Sequence, residues 1–256
     1  MAKIFLSIPI LGRPELKMIY STYQAILSSK HQVRIYFNEN DSLIPRVRNV
    51  HISAFLYSFP DYDYFMSIDS DLEIMNAHPT NNIFNKLVAH DLDFTGGFYA
   101  LKKEGPPKCS SILMDGSDNV TFDSGLKEVR WLSSGCWCLK RSTVEKMAKA
   151  YPELTYDGDD NAAGMAVHGL YHPMIYEMKA GEFGLDKPFK KYLSEDWSFT
   201  ERWRAIGGKI FGDTSIALNH IGSHSYKIWN VKAVQNSKLE PPPPGFELKE
   251  PNKNSK

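Results

Sequence analysis

Apolar runs and helical stripes alternate along the first part of the chain. Residues 3–10 read as a buried strand, closed by Pro9 and followed by Gly12-Arg13-Pro14. Pro14 opens a helix, on which Leu16, Ile19, Tyr20, Tyr23, Ile26 and Leu27 recur at helical spacing and form the expected core-facing stripe. His31 to Phe37 is a second strand, and Asn38 to Asp41 is a polar turn. A second helix is expected over about 43–58, with Val47, Val50, Ala54 and Tyr57 on one face. A third apolar run, Tyr62 to Ile68, ends abruptly in Asp69-Ser70-Asp71. Strand, helix, strand, helix, strand is the pattern of a parallel sheet with covering helices.

Further along, Pro79 to His90 suits a short helix and Asp93 to Ala100 another strand. Lys102 to Lys127 is rich in turn residues and reads as loop or a small hairpin. Val129 to Leu139 is expected as one extended segment, with Gly135 marking a bulge or a close ligand approach. Ser142-Thr143-Val144-Glu145 carries a capping-box signature for a helix running to Ala150. Periodicity then fails from Tyr151 to Lys191, which predicts a long loop that carries function or moves. Within it, Asp157-Gly158-Asp159-Asp160-Asn161 lacks the terminal acid of a calcium loop. Ser194-Glu195-Asp196-Trp197 opens a helix that buries Phe199, Trp203 and Ile206 and stops at Gly207-Gly208. Lys209 to Phe211 and Ser215 to Leu218 are short strands leading to Asn219-His220-Ile221-Gly222-Ser223-His224. The tail 233–256, with Pro241 to Pro244, reads as an extended or disordered extension.

Composition narrows the function classes. The 256 residues suffice for a substantial core, and 42% hydrophobic with 23% charged residues is ordinary for a globular domain. Lys plus Arg and Asp plus Glu balance at 30 each, so no global field draws the chain to nucleic acid or an anionic membrane. The first apolar run is too short for a signal peptide, and no stretch has the length of a transmembrane helix. A cytoplasmic location is the expectation. Cys109, Cys136 and Cys138 have no redox or zinc spacing and read as reduced core residues. Asn119-Val120-Thr121 is a glycosylation sequon only in a secreted chain.

The chemistry concentrates at Asp69-Ser70-Asp71. Two acids at the mouth of a buried strand call for a cation, because an unpaired buried charge is costly. Residues i and i+2 share one side of a strand, so both carboxylates can converge on a hard divalent ion. The competing reading is an ordinary turn, where Asp and Ser are favoured. Position weighs for the first reading, since ligands of parallel sheets bind beyond the carboxyl ends of the strands. His51, His78, His90, His168 and His172 have no partner at metal spacing and read as structural or surface residues.

Several further pieces stand in order with these: the Arg48-Asn49 helix, Phe94-Thr95-Gly96-Gly97-Phe98-Tyr99 with Lys102 after it, Trp131 to Arg141, Leu193 to Trp197 running into Arg202-Trp203-Arg204, and His220-Ile221-Gly222. Over roughly residues 3 to 226 the chain resembles the nucleotide-sugar glycosyltransferases of the GT-A fold, in particular compact bacterial and virus-encoded members. The resemblance implies one Rossmann-related α/β domain over 1–232, with a mostly parallel central sheet flanked by helices. Its nucleotide-binding part would span about 1–100 and its acceptor part about 101–232. Asp69 and Asp71 would stand at a divalent metal, usually Mn2+ with Mg2+ as the alternative. His220 would be a further ligand, with His224 as its substitute. Two carboxylates and an imidazole suit manganese.

Arg48, Asn49, Asp69, Ser70 and Lys227 would meet the donor's nucleotide and diphosphate. Asp196 would be the catalytic base and Glu195 would bind acceptor hydroxyls; acids in a first helical turn are also favoured by the helix dipole alone. Trp131 and Trp197 would stack on sugars or belong to the core, and Trp137 is assigned to the core. The implied donor is a nucleoside-diphosphate sugar, UDP-linked before GDP-linked, the acceptor a hydroxyl of a glycan, and the reaction an inverting displacement. Alternatives on the same residues are a retaining transferase, a sugar-nucleotide nucleotidyltransferase and an inactive carbohydrate-binding scaffold. A nucleotidyltransferase would carry a Gly-rich first loop with Arg and Lys, where this chain has only Gly12 and Arg13.

Overall fold

The structure, a computed structural model, describes residues 1–37, 41–75, 82–122, 125–159 and 162–222, together with the backbone of 225–227. The turn at 38–40, the segment from Pro79 to Asn81, His78, Asp160-Asn161, His224, the Lys227 side chain and the tail lie outside the described residues. The N-terminal order is as predicted: β1 (Lys3–Ser7), α1 (Leu16–Leu27), β2 (Gln32–Tyr36), α2 (Ile44–Tyr57) and β3 (Tyr64–Ile68). Parallel ladders place β1 between β2 and β3.

After β4 (Leu72–Ile74) and α3 (Ile83–Ala89) come β5 (Phe94–Gly97), β6 (Ile112–Leu113), β7 (Leu126–Trp131), β8 (Cys136–Lys140) and α4 (Arg141–Ala150). Two hairpins follow, β9 (Thr155–Asp157) with β10 (Ala166–His168) and β11 (Met174–Met178) with β12 (Phe189–Leu193). The described chain closes with α5 (Glu195–Ala205), β13 (Phe211–Asp213), β14 (Leu218–Ile221) and β15 (Ser225–Lys227). The main sheet has eight strands in the order β2-β1-β3-β8-β5-β13-β7-β6. Only β8 and β7 run against the rest among the described strands, so the sheet is mostly codirectional and flanked by helices, the α/β class expected from the sequence.

Strand alternation builds a core on each face. Phe5, Phe65, Trp137 and Leu139 point to one side and pack with Ile52 and Phe55 of α2, Val144 and Met147 of α4, and Phe199 and Trp203 of α5. Ile4, Leu6, Met66, Ile68, Cys136 and Cys138 point to the other, toward Met18 and Ala25 of α1 and Ile83, Phe84 and Leu87 of α3. The cysteines are free and buried, and burial pushes the Cys136 thiol up to about 12, the inert state expected of them. Among the described residues, no helix is long and apolar enough to cross a membrane.

Four expectations are corrected. The bulky stripe of α1 faces outward, with Leu16 at 78% and Tyr20 at 65% exposure, while Met18, Ser21, Thr22 and Ala25 face the sheet. Small residues win there because β4 and α3 approach closely: Ser21 Oγ accepts from the Ile74 N–H at 3.0 Å, and the Ala25 carbonyl accepts from Asn82 Nδ2 at 2.6 Å. The segment Val129 to Leu139 is two strands, β7 and β8, not one. At α4 the N-cap is Lys140, without a side-chain cap, so the capping box is not made. Residues 151–191 are not a structureless loop; their hairpins escape the periodicity because β9 and much of β11 and β12 stay exposed.

Behind the sheet, His51 of α2 is fully buried, its Nδ1 at 2.7 Å from Ser7 Oγ. Burial, and secondarily Arg48, hold the imidazole down at about 3, from an ordinary 6.5. It is neutral in the fold and binds a proton only on unfolding, so its contribution is full above 6.5 and declines as pH falls toward 3. The slope of stability against pH in mildly acidic urea titrations should therefore drop in His51→Gln, by up to ~1.4 kcal/mol per pH unit. An unchanged slope would show that His51 does not titrate on unfolding.

Candidate active site

The acids after β3 are held by strands on both sides. The Asp69 N–H donates to the Gly135 carbonyl at 3.0 Å, and the Gly135 N–H donates to Tyr99 Oη at 3.1 Å. A Cβ at Gly135 would come within 2.7 Å of the Tyr99 ring and 2.6 Å of Leu72. The glycine thus serves close packing of the protein against itself, where the sequence suggested a bulge or a ligand. Next, β14 pairs antiparallel with β4 and sets His220 opposite Leu72, and the Ile221 N–H donates to the Asp71 carbonyl at 2.8 Å. His220 Nε2 consequently lies 3.5 Å from Asp71 Oδ1. His220 Nδ1 donates to the Ala100 carbonyl at 2.8 Å, which in the neutral ring leaves the Nε2 lone pair free to face a cation. Lys102 Nζ stands 2.5 Å from Asp71 Oδ2. Burial pushes the Asp71 carboxyl up, but the neighbouring His220 ring and Lys102 ammonium outweigh it and hold the group down at about 2.

A second acidic pair arrives from the far end of the chain. The β11–β12 hairpin leads directly into α5, where Ser198 Oγ donates to the Leu193 carbonyl at 3.1 Å and accepts from the Met174 N–H at 3.0 Å. That anchor sets the first turn, Glu195-Asp196. Asp196 Oδ1 accepts from the Ser194 hydroxyl and from the Trp197 N–H. Burial first, and the Asp196 charge second, raise the Glu195 carboxyl against the pull of Arg48.

Arg48 joins the two pairs. Its Nη2 donates to Asp69 Oδ1 at 2.7 Å and its Nε lies 3.7 Å from Glu195 Oε1. Burial disfavours the charge, yet Asp69, Tyr171 and Glu195 outweigh that and hold the guanidinium above its ordinary value. Expected at the nucleotide, Arg48 is only 4% exposed and is spent on these acids. Asn49 is likewise engaged: its Oδ1 accepts from the Tyr171 N–H at 2.8 Å. Tyr171, which no sequence signal marked, lies fully buried under Arg48 with its hydroxyl free of a hydrogen-bond partner among the described residues. Ser70 offers its carbonyl to the Glu15 N–H at 2.9 Å, and the Lys227 backbone pairs with Asn219.

Of the three expected metal ligands, two converge. Asp71 and His220 fit one borderline divalent ion by chemistry and spacing, whereas Asp69 stands with Arg48. Among the described residues, no group of three or more His, Cys, Asp or Glu is arranged to hold a metal. Trp137 is core, as assigned. Trp131 is buried and stacks on Trp197 at 4.8 Å and 17°, with its Nε1 donating to Glu201 Oε2 at 2.9 Å. A cavity of about 520 Å3, lined by Ile8, Ile10, Met18, Tyr23, Ile35 and Phe37 among others, opens at the carboxyl ends of β1 and β2.

No protein-family model and no curated protein matches the chain. Among solved structures it is similar to protein A197 from STIV, at 17% identity and TM-score 0.52, covering 87% of this chain and 86% of that one. This likeness is one of fold. A Drosophila β1,4-galactosyltransferase 7 variant, crystallised with manganese, UDP-Gal and xylobiose, matches at 13% identity and TM-score 0.45, over 93% of this chain and 80% of that one. GalNAc-T7 with UDP, GalNAc and Mn2+ matches at 9% identity and TM-score 0.47, over 95% of this chain and 46% of that one. At those scores the last two establish nothing for this chain.

Proposed function

We propose that the chain is a glycosyltransferase, moving a sugar from a nucleoside diphosphate, UDP in preference to GDP, to a glycan hydroxyl with inversion. The observation that carries this reading is the meeting of Asp69-Ser70-Asp71 with Glu195-Asp196 through Arg48. Both pairs lie at the carboxyl side of the codirectional strands, where open α/β sheets bind ligands. Fold alone would not suffice.

In this reading Asp71 and His220 hold Mn2+, with Mg2+ as the alternative. A divalent ion there supplies charge for binding the diphosphate and for stabilising it as it departs. Asp69, Ser70 and Lys227 contact the donor, and the apolar cavity beside β1 and β2 takes its base. Arg48 and Asn49 act indirectly, Arg48 by orienting Asp69 and Glu195 and Asn49 by holding the Tyr171 backbone. Glu195 binds an acceptor hydroxyl. Asp196, fixed by Ser194 and the Trp197 amide, takes the proton of the attacking hydroxyl. The acceptor oxygen bonds to the anomeric carbon as the bond from that carbon to the diphosphate oxygen breaks.

UDP with Mn2+ should raise the melting temperature, as a ligand selective for the folded state must. Asp71→Asn should lose the shift; it is a cleaner variant than Asp69→Ala, which would strip buried Arg48 of its partner. A full shift in Asp71→Asn, or none with UDP or GDP in the parent chain, would overturn the site. Hydrolysis of a nucleotide-sugar panel with and without Mn2+ then separates a transferase from a binding scaffold.

A further inference from the structure

A short loop delivers a protein cation to the place where a metal would be bound. The chain after β5 leaves and returns at one point: Ala100 bridges to Cys109, and the Leu101 N–H donates to the Lys108 carbonyl at 2.9 Å. Lys102 to Pro106 between them are exposed. At the base of this loop, Lys102 Nζ lies 2.5 Å from Asp71 Oδ2, while the Ala100 carbonyl is the group that orients His220. Two residues of one loop thus act on both ligands of the half-site, one by occupying the carboxylate and one by aiming the imidazole.

An ammonium and a divalent ion repel each other, and both seek the same carboxylate. The Lys102 side chain is 35% exposed on a flexible stem, so leaving Asp71 costs it little once another anion is near. A diphosphate is such an anion.

We propose that Lys102 is a tethered counter-cation of the Asp71–His220 pair, competing with a divalent metal for Asp71 and released to phosphate oxygens when a nucleoside diphosphate arrives. Metal and nucleotide binding are then coupled through Lys102, beyond any direct contact between the two ligands. This inference rests on the reading of Asp71 and His220 as metal ligands.

The test is Mn2+ binding to the full chain, followed by the electron paramagnetic resonance of free Mn2+, with and without UDP. Without UDP, Lys102→Met should bind Mn2+ roughly two- to five-fold tighter than the parent, the scale of a partly exposed ion pair that no longer has to be broken. Lys102→Arg, which keeps the charge, should bind as weakly as the parent, and Asp71→Asn should bind least. UDP should strengthen Mn2+ binding more in the parent than in Lys102→Met. Equal or weaker Mn2+ binding in Lys102→Met would overturn the counter-cation and leave the nucleotide site standing. Tighter binding in Lys102→Met with no response to UDP in any chain would keep the competition and overturn both the release step and the nucleotide-site reading.

Discussion

Asp196→Asn should reduce glycosyl transfer by roughly 10²-fold or more, the usual scale for losing a general base, with nucleotide affinity nearly unchanged. The amide keeps the shape of the carboxylate and can still accept from the Trp197 N–H, so the start of α5 is preserved. What it loses is the ability to take a proton. Asp196 is also separate from the metal half-site in its bonding: among the described residues its hydrogen-bond partners are Ser194 and Trp197, not Asp71 or His220. Turnover and thermal shift with UDP and Mn2+ should therefore separate. A variant that loses both would make Asp196 a structural residue. The anomeric configuration of freshly formed product, read by NMR, is the companion measurement. Inversion fits direct attack, whereas retention would rule out this role for Asp196.

Arg48→Met should lower stability by roughly 3 kcal/mol, at the low end of the range for breaking a buried ion pair. Met matches the stem but leaves Asp69 and Glu195 facing each other without their cation. Their side chains keep 23% and 19% exposure, so water softens the loss and the upper end of the range does not apply. Adding Asp69→Asn to Arg48→Met should restore part of the stability, because one uncompensated charge is gone. Urea titrations of the two single variants and the double decide this; strictly additive losses would dissolve the network. Arg48→Lys should not rescue, since one ammonium cannot reach two carboxylates in the manner of a planar guanidinium.

Much of this arrangement is legible along the chain, and its gaps have physical causes. The βαβαβ start, the acids after β3 and the acids opening α5 follow from local pattern, and the structure brings the two acidic groups together. The inward face of α1 does not follow, because periodicity finds two stripes and hydrophobicity favours the wrong one when close packing demands Ser21, Thr22 and Ala25. The hairpins within 151–191 are also invisible, since short, exposed strands carry no alternation. The role of Arg48 depends on a contact spanning residues 48 to 195, and Tyr171 sits in a stretch without any local signal.

The place of β8 in the sheet has a consequence for how the molecule is divided. Residues assigned to the donor lie mainly before residue 100, and those assigned to the acceptor after it. Yet β8, residues 136–140, is hydrogen-bonded along Tyr64 to Ile68 on one side and Phe94 to Gly96 on the other. A fragment ending near residue 100 would leave both β3 and β5 as bare apolar edges, open to pairing with other chains. The stretches proposed for donor and for acceptor are thus joined in one sheet.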